Sequence, residues 1–478
     1  MESTSPPSHP DESPSRRPRA SRRNFAIALA FVLALSMAGP APELAAAETP
    51  PAPQSAQPTG AAAQAGRFAA YFDADPVIRA AASSQGPLAL ADLEDLALTA
   101  SGYRPDELAA GRARIDAVLG GLGRDLAGAR PADEGARAEE ALSFLHARIL
   151  RSYDLDATTM GDILDSGRFN CVSSAVLYLI AMRSLGIEAA GVKTTDHAFC
   201  LVRIEGREID VETTNPYGFD PGTKKEFADR FGKTTGYSYV APGNYSRRRT
   251  VDERELVALI LANRMAQATE RRDARGALSL AYGYYLLAAQ GDGRKILLDC
   301  VENLAADLAD RKDFASIEEL ARTAAAFLGQ DARLSQLLET AIYDGLALVA
   351  GTADWRAAVA SADSALAEGS LGRKNHDSIV VYAYGSAANA LGQKGDWLGA
   401  ARLAEEGAQK APSDRSLSQA AAGFRRNFVV TAHNRFATLY NTRDYAAAAA
   451  VLEEALKLLP GDPTLLADLE IARRAMGR

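Results

Sequence analysis

Tryptophan is almost missing from this chain, with 2 in 478 residues, and cysteine and histidine are nearly as rare, at 3 and 5. Three cysteines cannot build a disulfide framework, and the odd count leaves at least one thiol without an intramolecular partner. None of the histidines lies at ligand spacing from a cysteine or an acid, which argues against a metal site. No glycine-rich phosphate loop occurs, and nothing implies a cofactor. Long basic tracts are lacking too. The formal charge is −8, and beyond the N-terminus Arg247–Arg249 is the only basic run, read as a solvated turn. Nucleic-acid affinity rests on neutralising phosphates, so an acidic body argues against that partner.

What is abundant is alanine, which favours helix. The length implies several domains. Five arginines between Arg16 and Arg23 precede the apolar run Phe25–Ala38, and Ala45-Ala46-Ala47 offers a small-residue cleavage site. Residues 1–47 therefore read as an export signal to the periplasm or the medium, and Ser21–Phe25 (SRRNF) resembles a twin-arginine signal. A retained membrane anchor over Asn24–Pro42 is the alternative, and it is the only route to a membrane. Residues 48–66 are Pro/Ala/Gln-rich and read as a disordered linker. Residues 67–157 carry apolar residues three and four apart and read as a helical segment packing on the next domain. In its last helix Leu142, Leu145, Ile149 and Leu150 form the stripe. His146 beside them reads as structural, as a lone helix histidine usually is.

Residues 158–250 change character. A helix is expected from about Cys171 to Leu185, stopped by Gly186. Three short strands follow, IEAAGVKTT, AFCLVRI and EIDVETT, the last two joined at Glu205-Gly206-Arg207. A helix on an antiparallel sheet is the natural α+β solution. The stretch Phe219–Tyr245 is loop-rich and aromatic, and could cover the end of the sheet. Cys171 opens the helix, and His197 follows 26 residues later at the start of a strand. A free thiol has a pKa of about 8.5, and a helix N-terminus and a neighbouring imidazolium both favour its thiolate. The histidine can take the thiol proton and return it to a leaving group, while an acid holds its tautomer. Asp210 and Glu212 share a face of the expected strand, about 6.6 Å apart, so only one can pair well with His197. Asp196 points across the pleat. Cys200 and Cys300 read as core.

These residues resemble the transglutaminase-like superfamily: a cysteine opening a helix, His197-Ala198-Phe199 on one strand, and Val211-Glu212-Thr213-Thr214 on the next. The resemblance spans about Thr158 to Pro242. It implies a transglutaminase-like fold with a papain-like triad. Cys171 would be the nucleophile, His197 the base and acid, and the third member Glu212 by position in the motif or Asp210 by residue type. It further implies acyl transfer through a thioester, to water in a peptidase or amidase or to an amine in a cross-linker. The oxyanion would rest on the Cys171 N–H and a second donor, with Asn170 as the candidate. The other reading is a catalytically silent domain of the same kind, used as a binding or scaffold module of the cell envelope.

From 251 to 478 the chain is helical, and an aspartate-aromatic pair recurs: Asp313-Phe314, Asp354-Trp355, Asp396-Trp397 and Asp444-Tyr445, in steps of 41, 42 and 48 residues. The aspartate would cap a helix and the aromatic would wedge between neighbours. The last two units resemble tetratricopeptide repeats, with Ala448, Leu452, Ala455 and Pro460 at the small, large, small and proline positions. That resemblance implies a surface for a protein or peptide partner or substrate.

Overall fold

The computed structural model describes residues 66–221, 248–288 and 291–477. The expected export signal or anchor, nearly all of the linker and most of the stretch Phe219–Tyr245 lie outside these residues. The described chain is mostly helical with a small antiparallel sheet, and it divides into two compact units, one over Ala69–Cys300 and one from Val301 onward that also takes in residues 66–68.

In the first unit, α1 (Pro76–Ser83), α2 (Leu90–Ala100), α3 (Leu108–Ala129) and α4 (Glu134–Arg148) follow one another. Two of their starts are set by aspartates that accept first-turn N–H groups: Asp75 from Val77 and Asp133 from Ala136. The two-residue strands β1 (Ser152–Tyr153) and β2 (Arg168–Phe169) pair in parallel around α5 (Met160–Ser166). They bring the chain to α6 (Cys171–Leu185). Every residue of α6 from Val172 to Met182 is buried. A helix apolar on all sides must be interior, and α6 packs against α2, α4, α7 (Glu253–Glu270) and two strands of the sheet. Tyr178 is fully buried, and its hydroxyl donates to the Ala138 carbonyl at 3.1 Å.

The sheet has the order β5-β4-β3-β6, all antiparallel, from β3 (Glu188–Lys193), β4 (Ala198–Ile204), β5 (Arg207–Val211) and β6 (Arg249–Val251). Its register sets Val192 opposite Phe199 and Cys200 opposite Val211. α7 packs on α6, α2 and β3, and α8 (Ala274–Leu287) packs on α7. Both helices, read from sequence with the repeats that begin at 251, belong to the same compact unit as the sheet. Helical periodicity shows that a helix buries a face, but not which core that face meets.

One buried group in this unit works against folding at neutral pH. Glu94 on α2 is 3% exposed and its Oε1 has no hydrogen-bond partner among the described residues. Burial, with Asp116 nearby, pushes its carboxyl up from 4.5 to about 7. The folded state therefore holds a proton that the unfolded chain releases, and stability falls as pH rises through that window. Glu94→Gln is expected to raise stability at pH 8 by about 1–3 kcal/mol, with the gain shrinking towards pH 5. Urea unfolding of both proteins across this range measures it, and parallel stability–pH curves would refute the assignment.

The second unit continues from α9 (Gly293–Asp310), within which the first one ends, through α10 (Phe314–Leu328), α11 (Ala332–Ala350), α12 (Trp355–Ala367) and α13 (Arg373–Gln393). The array closes with α14 (Trp397–Lys410), α15 (Ser416–Asn441), α16 (Tyr445–Leu458) and α17 (Pro463–Ala475). From α10 onward each helix packs on the next, and α11, α13, α15 and α17 also touch in succession. This is the contact pattern of a stacked helical array. Asp313, Asp396 and Asp444 cap their helices by accepting the N–H groups of Ser316, Gly399 and Ala447, whereas Asp354 makes no such bond. The aromatics wedge as expected. Trp355 meets Tyr384 edge-on at 4.8 Å, and Trp397 stacks on Phe424 at 6.5 Å.

Candidate active site

Asn170 starts the helix that carries Cys171. Its side-chain oxygen accepts from the N–H groups of Val172 and Ser173, both at 3.0 Å, and the Ser173 hydroxyl in turn accepts from the Asn170 N–H. Its amide nitrogen donates to the Leu155 carbonyl at 3.0 Å, and Ser173 donates to that of Ala157 at 2.8 Å. The loop thus holding the helix start is braced by α7, through Asn263 on Thr158 and Gln267 on the Asp156 carbonyl, both at 2.9 Å. Its carboxamide is thus engaged as the helix cap, with one amide N–H given to Leu155. The Cys171 N–H has no hydrogen-bond partner among the described residues. It is a free first-turn donor beside a half-exposed thiol.

His197 stands immediately before β4, where the turn Thr194–His197 closes through the Thr194 N–H on the His197 carbonyl at 2.9 Å and the His197 N–H on the Thr194 hydroxyl at 3.1 Å. Its Nε2 lies 2.6 Å from Glu212 Oε2, and Cys171 is near enough to the ring to act on its charge. With Nε2 taken by Glu212, Nδ1 is the ring nitrogen left for a second partner. Burial opposes a charge on this ring, but the Glu212 carboxylate, the hydrogen bond to it and the neighbouring Cys171 outweigh it. His197 is held well above the ordinary imidazole range. Phe199 stacks against the ring at 6.0 Å.

The two candidate acids separate completely. Glu212 is 3% exposed, with Oε2 on His197 and Oε1 accepting from the Thr214 N–H at 3.2 Å and the Thr214 hydroxyl at 2.7 Å. Asp210 instead makes a two-pronged ion pair with Arg248, at 2.6 and 2.8 Å. β5 ends at Val211, so the alternation that would set both acids on one face stops one residue short of Glu212. The chain then folds back tightly: the Glu212 N–H donates to the Gly218 carbonyl at 2.8 Å. A Cβ on Gly218 would lie 1.9 Å from the Glu212 carbonyl oxygen, so only glycine fits there. Asp196 is exposed and faces the Thr194 hydroxyl at 3.5 Å rather than His197.

Other expectations meet the structure less evenly. Arg248 also lies over the Phe199 ring at 5.3 Å, and Arg249 opens β6 and pairs with Glu255, so these two are not a solvated turn. Cys200 and Cys300 are core. The Cys200 thiol donates to the Ala175 carbonyl and burial pushes it far above the thiol range, while Cys300 is pushed up to about 12. Among the described residues no cluster of histidine, cysteine and acid could hold a metal ion, and no helix is long and apolar enough to cross a membrane.

Sequence reasoning missed a buried network around the acid. Thr213 meets the Ser174 hydroxyl at 2.9 Å, and its carbonyl lies 3.1 Å from His146 Nε2. His146 stands 66 residues before Glu212, and nothing local in the sequence links the two. The arrangement as a whole is a cysteine–histidine–carboxylate site on a helix start, a strand start and a strand end of an α+β unit. No protein-family model matches the chain, and the comparison with curated proteins found no match.

Proposed function

We propose that the chain is an exported cysteine enzyme of transglutaminase-like type that acts on amide bonds by acyl transfer. The observation carrying this reading is the 2.6 Å pairing of the His197 ring with Glu212, with the part-exposed Cys171 at a helix start close enough to act on that ring. The Cys171 thiolate attacks the amide carbonyl carbon, and the oxyanion rests on the Cys171 N–H. The C–N bond breaks, His197 gives its proton to the leaving amine, and a thioester remains on Sγ. Water or an amine then attacks the thioester, His197 takes the incoming proton, and the thiolate leaves. Glu212 keeps the ring oriented and stabilises its charged form throughout. The arginine-rich, apolar N-terminus supports action outside the cytoplasm, and the helical array supports capture of a protein or peptide partner.

An activated acyl ester offered to the purified protein tests the chemistry. Intact-mass analysis is expected to show one acyl group on Cys171, discharged by water or hydroxylamine and absent in Cys171→Ala. If folded protein takes up no acyl group at Cys171, the enzyme reading falls and a binding domain is left.

A further inference from the structure

We propose that His146 is a positioning residue, which fastens the loop bearing Glu212 to the start of the nucleophile helix and so aligns the His197–Glu212 pair. This deepens the reading of the site just given and rests on it for its catalytic meaning.

His146 lies in the last turn of α4 and touches both halves of the site. On the acid side its Nε2 is 3.1 Å from the carbonyl of Thr213, the residue after Glu212. A carbonyl can only accept, so Nε2 carries the proton and the tautomer is set by the contact. On the nucleophile side its ring meets Phe169, two residues before Cys171, in a T-shaped contact at 5.6 Å. A third tie closes the triangle. The Thr213 hydroxyl is 2.9 Å from Ser174 Oγ, and Ser174 donates to the Asn170 carbonyl at 2.8 Å. Thr213, Ser174 and Asn170 are all nearly inaccessible to water, so each broken contact would leave a buried polar atom unsatisfied.

The chemistry of histidine suits this place. Burial outweighs the pull of the Thr213 carbonyl and of Glu212, and lowers His146 to about 4. It therefore stays neutral while His197 is charged. A lysine or arginine there would offer Glu212 a second cation and draw it from His197; a neutral N–H donor ties the loop without that competition. Glu212 is the charged group that acts on His146.

The test compares His146→Leu, which deletes the donor, with His146→Gln, which keeps one. The first readout does not depend on catalysis: the low-field proton resonance of His197 Nε2–H, which reports its hydrogen bond to Glu212. The second is the rate of Cys171 alkylation at pH 6. His146→Leu is expected to lose or shift the resonance and to slow alkylation by about tenfold or more, the usual effect of an orphaned buried carbonyl. His146→Gln should restore both to within about threefold of wild type. A folded His146→Leu with unchanged resonance and rate overturns the proposal, as does a wild type with no such resonance. Should His146→Leu fail to fold, Thr213→Val, which removes only the hydroxyl tie to Ser174, is expected to shift the resonance in the same direction. No shift there overturns the proposal as well. Failure of Cys171 to take up an acyl group would overturn the enzyme reading but leave the resonance result standing.

Discussion

His197→Ala is expected to slow alkylation of Cys171 by iodoacetamide about tenfold or more, because the ring that takes the thiol proton is gone. An ordinary thiol is less than about 1% thiolate at pH 6, and only the thiolate reacts. In the wild-type protein the charged form of the sulfur has two sources of support. One is the start of α6, whose Cys171 N–H is free among the described residues. The other is the neighbouring His197 ring, kept charged chiefly by Glu212. Alanine removes the second and leaves the first, so some reactivity persists. Cys200 and Cys300 are buried and far less reactive, which makes Cys171 the thiol that the assay reads. An alkylation rate unaffected by His197→Ala would refute the pairing.

Glu212→Gln is expected to lower turnover of an amide or ester substrate by about 10³–10⁴-fold, as loss of the orienting acid does in triads of this logic, while Asp210→Asn stays within about threefold. The difference follows from what each carboxylate holds. Thr214 donates both its N–H and its hydroxyl to Glu212 Oε1, so a glutamine must put its carbonyl oxygen there. Its NH₂ group then faces His197 Nε2 and demands an acceptor. The ring proton is driven to Nδ1, and with Nε2 turned towards the amide no ring nitrogen is left to take the thiol proton. Asp210 holds Arg248 in a two-pronged, largely buried ion pair, so its loss is felt in stability more than in turnover. Steady-state rates for the two variants decide the matter, and equal losses would mean that both acids serve the ring.

The elements around the site were largely legible because each has a local signature. The apolar run that opens at Cys171 marks a helix, and Gly186, with φ of 69°, marks its stop. AFCLVRI is bounded by turn residues and coincides with β4. The aspartate-aromatic pairs announced helix starts because a cap is a bond to the next few residues. Where a contact spans distant segments the local pattern failed. Alternation could not tell Asp210 from Glu212, because it assumes that the strand continues. It gave no sign that Asn170 would spend its amide on Leu155, or that α7 and α8 would cover the sheet unit.

By itself, then, the sequence determined the order and local setting of the chemistry: a cysteine at a helix start, a histidine opening a strand, an acid near the end of the next, and helices repeating behind them. Those follow from hydrogen bonds and side-chain periods that close within a few residues. Only the tertiary structure decided which acid meets the histidine. β5 ends at Val211 and the chain turns back against Gly218, and Arg248, 38 residues further on, takes Asp210 out of contention. Only it brought His146 to the same site. Which partners meet across such distances depends on how the core packs, and no short stretch of residues contains that information.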